Sequence, residues 1–250
     1  MPPRYEVIGI EGIGEVRPGD DVAGLVVEAA VRQRTPLAGG DVLVLSQKII
    51  SKSEGRLLRL AEVTPSTMAA TFATELGRDP RLIEVILRES RRIVRMDRGV
   101  LVTETRHGWV CANAGVDQSN VDADMVALLP EDPDRSARAF RDAVRARANA
   151  EIHVIVADTF GRPWREGLVN VAIGVAGFAP LRSYLGERDP AGRPLQATIL
   201  AVADELAAAA EPVMGKLDRI PAAIVRGLPL APSEEGSKVL LRDPARDLFR

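Results

Sequence analysis

The run Ile152-His153-Val154-Ile155-Val156 is apolar, rich in β-branched residues, and ends against the polar word Ala157-Asp158-Thr159-Phe160-Gly161-Arg162. Such a run reads as a strand buried on both faces, which requires a packed core around a sheet. Shorter apolar runs at 5–10, 41–45 and 222–225 read as further strands. Residues 100–104 and 109–112, joined by Thr105-Arg106-His107-Gly108, read as a hairpin.

Helical spacing interrupts these runs irregularly. Gly19-Asp20 caps a helix whose apolar positions are Val22, Leu25, Val26 and Ala29. Thr64-Pro65 and Asp79-Pro80 are cap-plus-proline starts, predicting helices to about Leu76, closed by Gly77, and to about Ser90. Residues 136–148 read as a charged, exposed helix, and 198–214 carry Ile199, Val202, Ala203, Leu206 and Val213 at helical spacing. Without a regular β-α alternation, the expected class is α+β, with mixed sheets and packed helices rather than a doubly wound sheet. The chain of 250 residues suits one large domain or two intertwined subdomains. The main domain is expected over 1–230, with 231–250 as a loosely held tail or short terminal helix.

Charge and composition narrow the function classes. Thirty-three basic residues against thirty-five acidic ones, with 4% aromatics, leave neither an electrostatic footprint nor a stacking surface for nucleic acid. No apolar run approaches the ~20 residues of a membrane span, and Met1-Pro2-Pro3-Arg4 leads into a strand pattern rather than a signal segment, so a cytoplasmic protein is expected. Cys111 is the single cysteine and reads as a core residue. His107 and His153 have no ligand spacing between them.

Chemistry concentrates in two words, each following a strand-like run. Asn113-Ala114-Gly115-Val116-Asp117-Gln118-Ser119-Asn120-Val121 and the word around Asp158 put two acids at strand ends. Carboxylates there can hold Mg²⁺ or Mn²⁺ against phosphate oxygens. Ordinary turn chemistry explains either word alone. No Walker A sequence is present, and Gly9, Gly12 and Gly14 do not form a dinucleotide fingerprint. Lys52 suits a phosphate as a point charge, its alternative being a solvated surface lysine. Arg162 and Arg165, flanking Pro163-Trp164, read equally as a phosphate grip or as surface ion pairs. Gly161, Gly167, Gly174 and Gly177 serve close backbone approach to a ligand or tight packing. Asp204-Glu205 reads as a solvated or paired helix face.

Read in order, Gly9-Ile10-Glu11-Gly12, Arg17-Pro18-Gly19-Asp20-Asp21, Gly40-Asp41-Val42-Leu43-Val44, Ile50-Ser51-Lys52-Ser53-Glu54-Gly55-Arg56, the two acidic words and Val225-Arg226-Gly227 resemble the coenzyme F-420:L-glutamate ligases, from about Glu6 to about Leu230. The resemblance implies a homodimeric, GTP-dependent enzyme that adds L-glutamate to coenzyme F-420-0 and then builds a γ-linked tail, releasing GDP and phosphate. It implies metal binding by Asp117, Asp158 and Thr159, with Mg²⁺ or Mn²⁺ and K⁺ as candidate ions. It also implies GTP contacts at Ile13, Gly14, Glu15, Val16, Gln47, Lys48, Lys52 and Asn120, with Asp117, Asp158 and Lys52 as the catalytic set. In some bacteria a similar ligase is fused to a flavin-binding, nitroreductase-like half. At Lys216 the chain departs from archaeal members, whose matching residue is acidic and helps bind metal. Two other readings remain open from the residues: a metal-dependent nucleotide phosphohydrolase, and a non-catalytic deazaflavin or nucleotide binding protein.

Overall fold

The structure, a computed structural model, describes residues 2–247. The chain opens with β1 (Glu6–Gly9), α1 (Val22–Arg32), β2 (Val42–Ser46) and α2 (Gln47–Ser53). It continues through β3 (Leu57–Arg59), α3 (Thr67–Leu76), α4 (Pro80–Arg88), β4 (Ser90–Asp97), β5 (Val100–Thr105), β6 (Val110–Ala112) and β7 (Met125–Ala127). It closes with α5 (Pro133–Ala148), β8 (His153–Arg162), β9 (Arg165–Ala176), β10 (Arg182–Ser183), β11 (Ile199–Leu200), α6 (Val202–Met214) and β12 (Ala222–Arg226). The class is α+β, as the irregular order of patterns implies. No helix among the described residues is long and apolar enough to cross a membrane.

A five-stranded sheet in the order β1-β12-β2-β8-β9 forms the centre. β2 pairs with β8 in parallel, and the other neighbours are antiparallel. The side chains of β2 and β8 alternate between two cores because successive residues of a strand face opposite sides. Leu43, Leu45, Val154 and Val156 meet Val26 of α1 and Phe140 and Val144 of α5. Val42, Val44 and Ile155 meet Ala203, Leu206, Ala207 and Ala210 of α6 on the other face. A third core, built from Ile83 and Ile86 of α4, Leu101 of β5 and Val126 of β7, lies in the segment between β3 and β7.

Several local expectations are corrected. Asp21 caps α1, its Oδ1 accepting from the Gly24 N–H at 3.1 Å, because Asp20 is already committed to the Arg17 N–H at 2.8 Å. Ser66 caps α3 in place of Thr64, and Gly77 ends it at φ 64° as expected. Pro133 starts α5 behind an Asp132 cap, and its charged sequence hides a core face of Ala137, Phe140 and Val144. α6 starts at Val202 because Ile199 and Leu200 pair with Ser183 and Arg182 instead. The largest addition is β9, which carries β8 through Asp158, paired with Val171, to Arg162. Asp158 therefore lies inside a strand rather than at its end.

Two anchors close the body. Asp41 is 1% exposed and accepts from Arg226 Nε at 2.8 Å, from an Arg226 Nη at 2.7 Å and from the Ala38 N–H at 2.7 Å. This gives the Val225-Arg226-Gly227 word a structural role, fastening the end of β12 to the start of β2. In the 231–250 segment, buried Ser237 donates its N–H to Asp134 Oδ1 and its hydroxyl to the Ile173 carbonyl, at 2.8 and 2.7 Å. Its last residues, 248–250, lie outside the described residues. Gly174 answers packing rather than ligand, since a Cβ there would stand 2.4 Å from the Pro133 carbonyl oxygen.

Asp41 is buried but the Arg226 side chain is 30% exposed, so removing the acid strands a partly solvated charge and costs what a charged hydrogen bond contributes, about 1.5–3 kcal/mol. Asp41→Ala is expected to lower the unfolding free energy by that amount, read as a lower urea midpoint at an unchanged denaturant slope. A loss under about 1 kcal/mol, the range of an exposed pair, would show that the pair does not hold the sheet.

Candidate active site

The register of the central sheet gathers distant segments at one end. Gly9 stands opposite Ala223, Ala222 opposite Leu45, and Ser46 opposite Ala157. The loop after β1, the helix after β2, the loop before β12 and residues 157–159 of β8 therefore share that end. Asp117 arrives from the third core, its N–H donating to the Ala127 carbonyl at 3.0 Å and its own carbonyl accepting from the Ala127 N–H at 2.8 Å.

Ser46 caps α2 and sets Lys48 in the first turn. Lys48 Nζ lies 2.7 Å from Asp117 Oδ2 and donates to the Ser119 carbonyl and hydroxyl at 2.9 and 2.7 Å. Asp117 also accepts from the Ser119 N–H at 2.6 Å and from its hydroxyl at 3.0 Å. Burial works against the Asp117 charge, yet Lys48 and Ser119 outweigh it and hold the carboxyl below its usual range. Asp158 goes the other way. Burial, with the neighbouring Asp117 charge added, pushes it up to about 6 despite the Thr159 N–H at 2.8 Å and the Lys48 and Lys216 charges. Two carboxyls of unlike proton affinity thus sit close enough to feel one another.

Around Asp158 runs a polar network. The Thr159 hydroxyl donates to Asn170 Oδ1 at 2.7 Å and accepts from Lys216 Nζ at 2.7 Å. Glu211 accepts from Asn170 Nδ2 at 2.6 Å and pairs with Lys216 at 2.7 Å. Lys52, 7% exposed, is ion-paired with Glu15. Gln47 is buried and accepts from the Ser51 hydroxyl at 2.7 Å, so it serves α2 internally, and the expected Gln47-Lys48 turn is the first turn of that helix. Ile13 and Val16 bury their side chains in the core, leaving their backbone for any ligand. Gly14 and Glu15 line a cavity of about 250 Å³ with Asp20, Asp21, Gly24, Leu25 and Glu28. Asn120 is exposed on the loop beyond Ser119, at φ 55°.

The remaining candidates fall away from this site. Arg162 donates to the carbonyls of Glu166 and Gly167, closing its own hairpin, and Arg165 is exposed. Of the two readings of Asp204-Glu205, Asp204 is the paired one, half-buried and accepting from the Ala172 N–H at 2.9 Å, while Glu205 is exposed. Burial, then the Asp158 charge, pushes the Cys111 thiol up to about 12, which fits a core residue and not a nucleophile. Ser119, Asn170 and Glu211 escape a reading by residue type. Ser119 alone leaves a trace, because two residues after Asp117 is the spacing of an Asx turn.

Among the described residues no group of three or more His, Cys, Asp or Glu forms a metal cage. The donor set Asp117, Asp158 and Thr159 nevertheless fits a hard cation, which takes one or two carboxylates and completes its shell with water and phosphate.

Residues 11–227 match the family described as F420-0:Gamma-glutamyl ligase. Proteins named coenzyme F420:L-glutamate ligase are similar over nearly the whole chain. The one from Methanothermobacter thermautotrophicus is 47% identical, over 98% of each chain. That from Methanopyrus kandleri is 49% identical over 99% of this chain and 97% of its own. That from Haloarcula marismortui is 42% identical over 98% and 95%.

A folded-state pKa raised from 3.8 to about 6 means that the folded protein binds this proton more tightly than the unfolded chain, so stability falls as pH climbs between those values. Asp158→Asn removes that cost. In the ligand-free protein at neutral pH it should gain up to about 3 kcal/mol, or roughly 6–12 °C in Tm. Mn²⁺ should raise the Tm of the wild type and not of Asp158→Asn. An unchanged or lowered Tm for the variant would refute the electrostatic account.

Proposed function

The chain belongs to the F420-0:gamma-glutamyl ligase family, and we propose that it joins L-glutamate to coenzyme F-420-0, then adds γ-linked glutamates, converting GTP to GDP and phosphate. The observation that carries the reading is the Lys48–Asp117 pair beside Asp158. It offers ammonium and carboxylate at short range, as a phosphoryl donor with its counter-ion requires.

Amide formation from a carboxylate in water is uphill, so the acceptor is activated first. A carboxylate oxygen of coenzyme F-420-0 attacks the γ-phosphorus, the bond to the bridging oxygen breaks, and GDP leaves with that electron pair. The amine of L-glutamate then attacks the acyl carbon, phosphate departs with the carbon–oxygen electron pair, and the nitrogen loses its proton. Asp117, Asp158 and Thr159 would hold Mg²⁺ or Mn²⁺, which supplies charge neutralisation on the phosphate oxygens.

The side chains position and neutralise. Lys48 keeps Asp117 ionised and fixes the Ser119 turn beside it. Lys52 exchanges Glu15 for phosphate, and because Glu15 is exposed, its release into water costs little. The backbone of 13–16 borders the nucleotide, and Asn120 stands at the rim. A homodimer is part of the same reading.

The test is incubation of the purified protein with coenzyme F-420-0, L-glutamate, GTP and Mn²⁺ or Mg²⁺, followed by mass spectrometry. Stepwise glutamyl addition that stops without GTP is expected, with Asp117→Asn reducing turnover at least about 100-fold. GTP hydrolysis without glutamyl addition would replace the ligase by a phosphohydrolase, and tight binding without turnover would replace it by a binding protein.

A further inference from the structure

Strand β9 carries one residue more than β8 can pair. Val156 stands opposite Gly174 and Ala157 opposite Ala172, so Ile173 is the extra residue of a bulge. Its consequence falls two residues further along, where Thr159 stands opposite Asn170. In an unbroken register Val171 would stand opposite Thr159, and Asn170 opposite Phe160. Residues paired across two strands share a face of the sheet, so the bulge is what brings the Asn170 side chain to the Thr159 hydroxyl, 2.7 Å away.

β9 is the last strand of its sheet, and the backbone groups along its outer edge meet no further strand. Around the bulge, side chains take that place. Asp204 of α6 accepts from the Ala172 N–H at 2.9 Å, Asp134 of α5 accepts from the Val175 N–H at 2.8 Å, and Ser237 donates its hydroxyl to the Ile173 carbonyl at 2.7 Å. Two carboxylates, from helices packed on opposite faces of the sheet, therefore hold β9 on either side of its extra residue. A hydrogen bond to an ionised acceptor is roughly twice as strong as a neutral one, which suits a strand edge that no ladder supports. Asp134 is tied a second time by the Ser237 N–H, whereas the Asp204 carboxyl has the bulge as its business.

We propose that Asp204 is a positioning residue of the active site: by holding the Ala172 N–H it fixes the bulge of β9, and through the bulge it keeps Asn170 bonded to Thr159, one of the oxygen donors of the cation site. The inference rests on the metal site of the ligase reading. Bulges beside active sites re-aim side chains, and the outer partners that orient a ligating group are worth about 10- to 100-fold in metal affinity. Asp204 acts one bond further out, so the lower end of that range applies.

Two measurements on the full chain without nucleotide test it: hydrogen exchange of peptides covering 168–174, and Mn²⁺ binding followed by electron paramagnetic resonance. Asp204→Ala should speed exchange in that segment and weaken Mn²⁺ about tenfold. Asp204→Asn keeps a side-chain oxygen for the N–H and should restore most of both. Ala208→Gly, which weakens α6 through its backbone, should lower Tm and leave Mn²⁺ affinity at the wild-type value. If Asp204 only braces α6, Asp204→Ala will behave like Ala208→Gly, and the proposal is overturned. Failure of Asp204→Asn to recover Mn²⁺ binding overturns it as well, because the hydrogen bond would then not be the carrier. A wild type that binds Mn²⁺ but adds no glutamate defeats the ligase reading and leaves this inference standing, whereas one that binds no Mn²⁺ defeats the metal site and the inference together.

Discussion

The parallel pairing of β2 with β8 is the constraint on which the site depends. Both strands are buried on both faces, so their register cannot slip without turning apolar side chains to the wrong core. Parallel pairing sends both strands out at the same end. Ser46 beside Ala157 then brings α2, with Lys48 in its first turn, to Asp158. An antiparallel pairing of the same two strands would leave Lys48 and Asp158 at opposite ends of the sheet. β12 enters antiparallel on the far side of β2, so the loop carrying Lys216 arrives at that same end.

The charges collected there are unequal. Asp117 is satisfied by Lys48 and Ser119, whereas for Asp158 the Thr159 N–H and the Lys48 and Lys216 charges do not offset burial and the field of Asp117. In the ligand-free protein this arrangement costs stability, and it is the kind of cost that functional sites carry. Lys52 and Glu15, and Lys216 and Glu211, balance the surrounding positive charge with exposed or half-buried partners that can be exchanged. The contrast with Asp41 and Arg226 is physical. That pair is closed by two bonds and buried at the acid, and it serves the sheet.

How far the sequence could be read follows from how local each interaction is. The Asp79-Pro80 start, the Gly77 stop, the hairpin before Asn113 and the core role of Cys111 rest on neighbouring residues, and they stand in the structure. α2 was not readable as a helix because seven residues are too few to stand alone. It persists by its Ser46 cap and by burying Ile49 and Ile50. β9 was missed because its outer half, Arg165 to Leu168, is exposed and lacks an apolar alternation. Hydrogen bonds from β8 make a strand of that outer half, whereas the inner half carries its own strand pattern in the alternating Val169, Val171, Ile173 and Val175. The same pairing overrides the turn-like wording around Asp158.

The sequence by itself determined the α+β class, the buried strands β2, β8 and β12, and the Asp79 and Gly77 caps of α4 and α3, because apolar periodicity and capping act over a few residues. Only the tertiary structure decided that Lys48 neutralises Asp117, that Asp158 sits within a strand and is left at a raised proton affinity, and that Lys216 reaches Thr159. Those outcomes depend on electrostatic and hydrogen-bond contacts between residues far apart in the chain, and the register of the central sheet together with the Asp117–Ala127 bridge sets which of them meet.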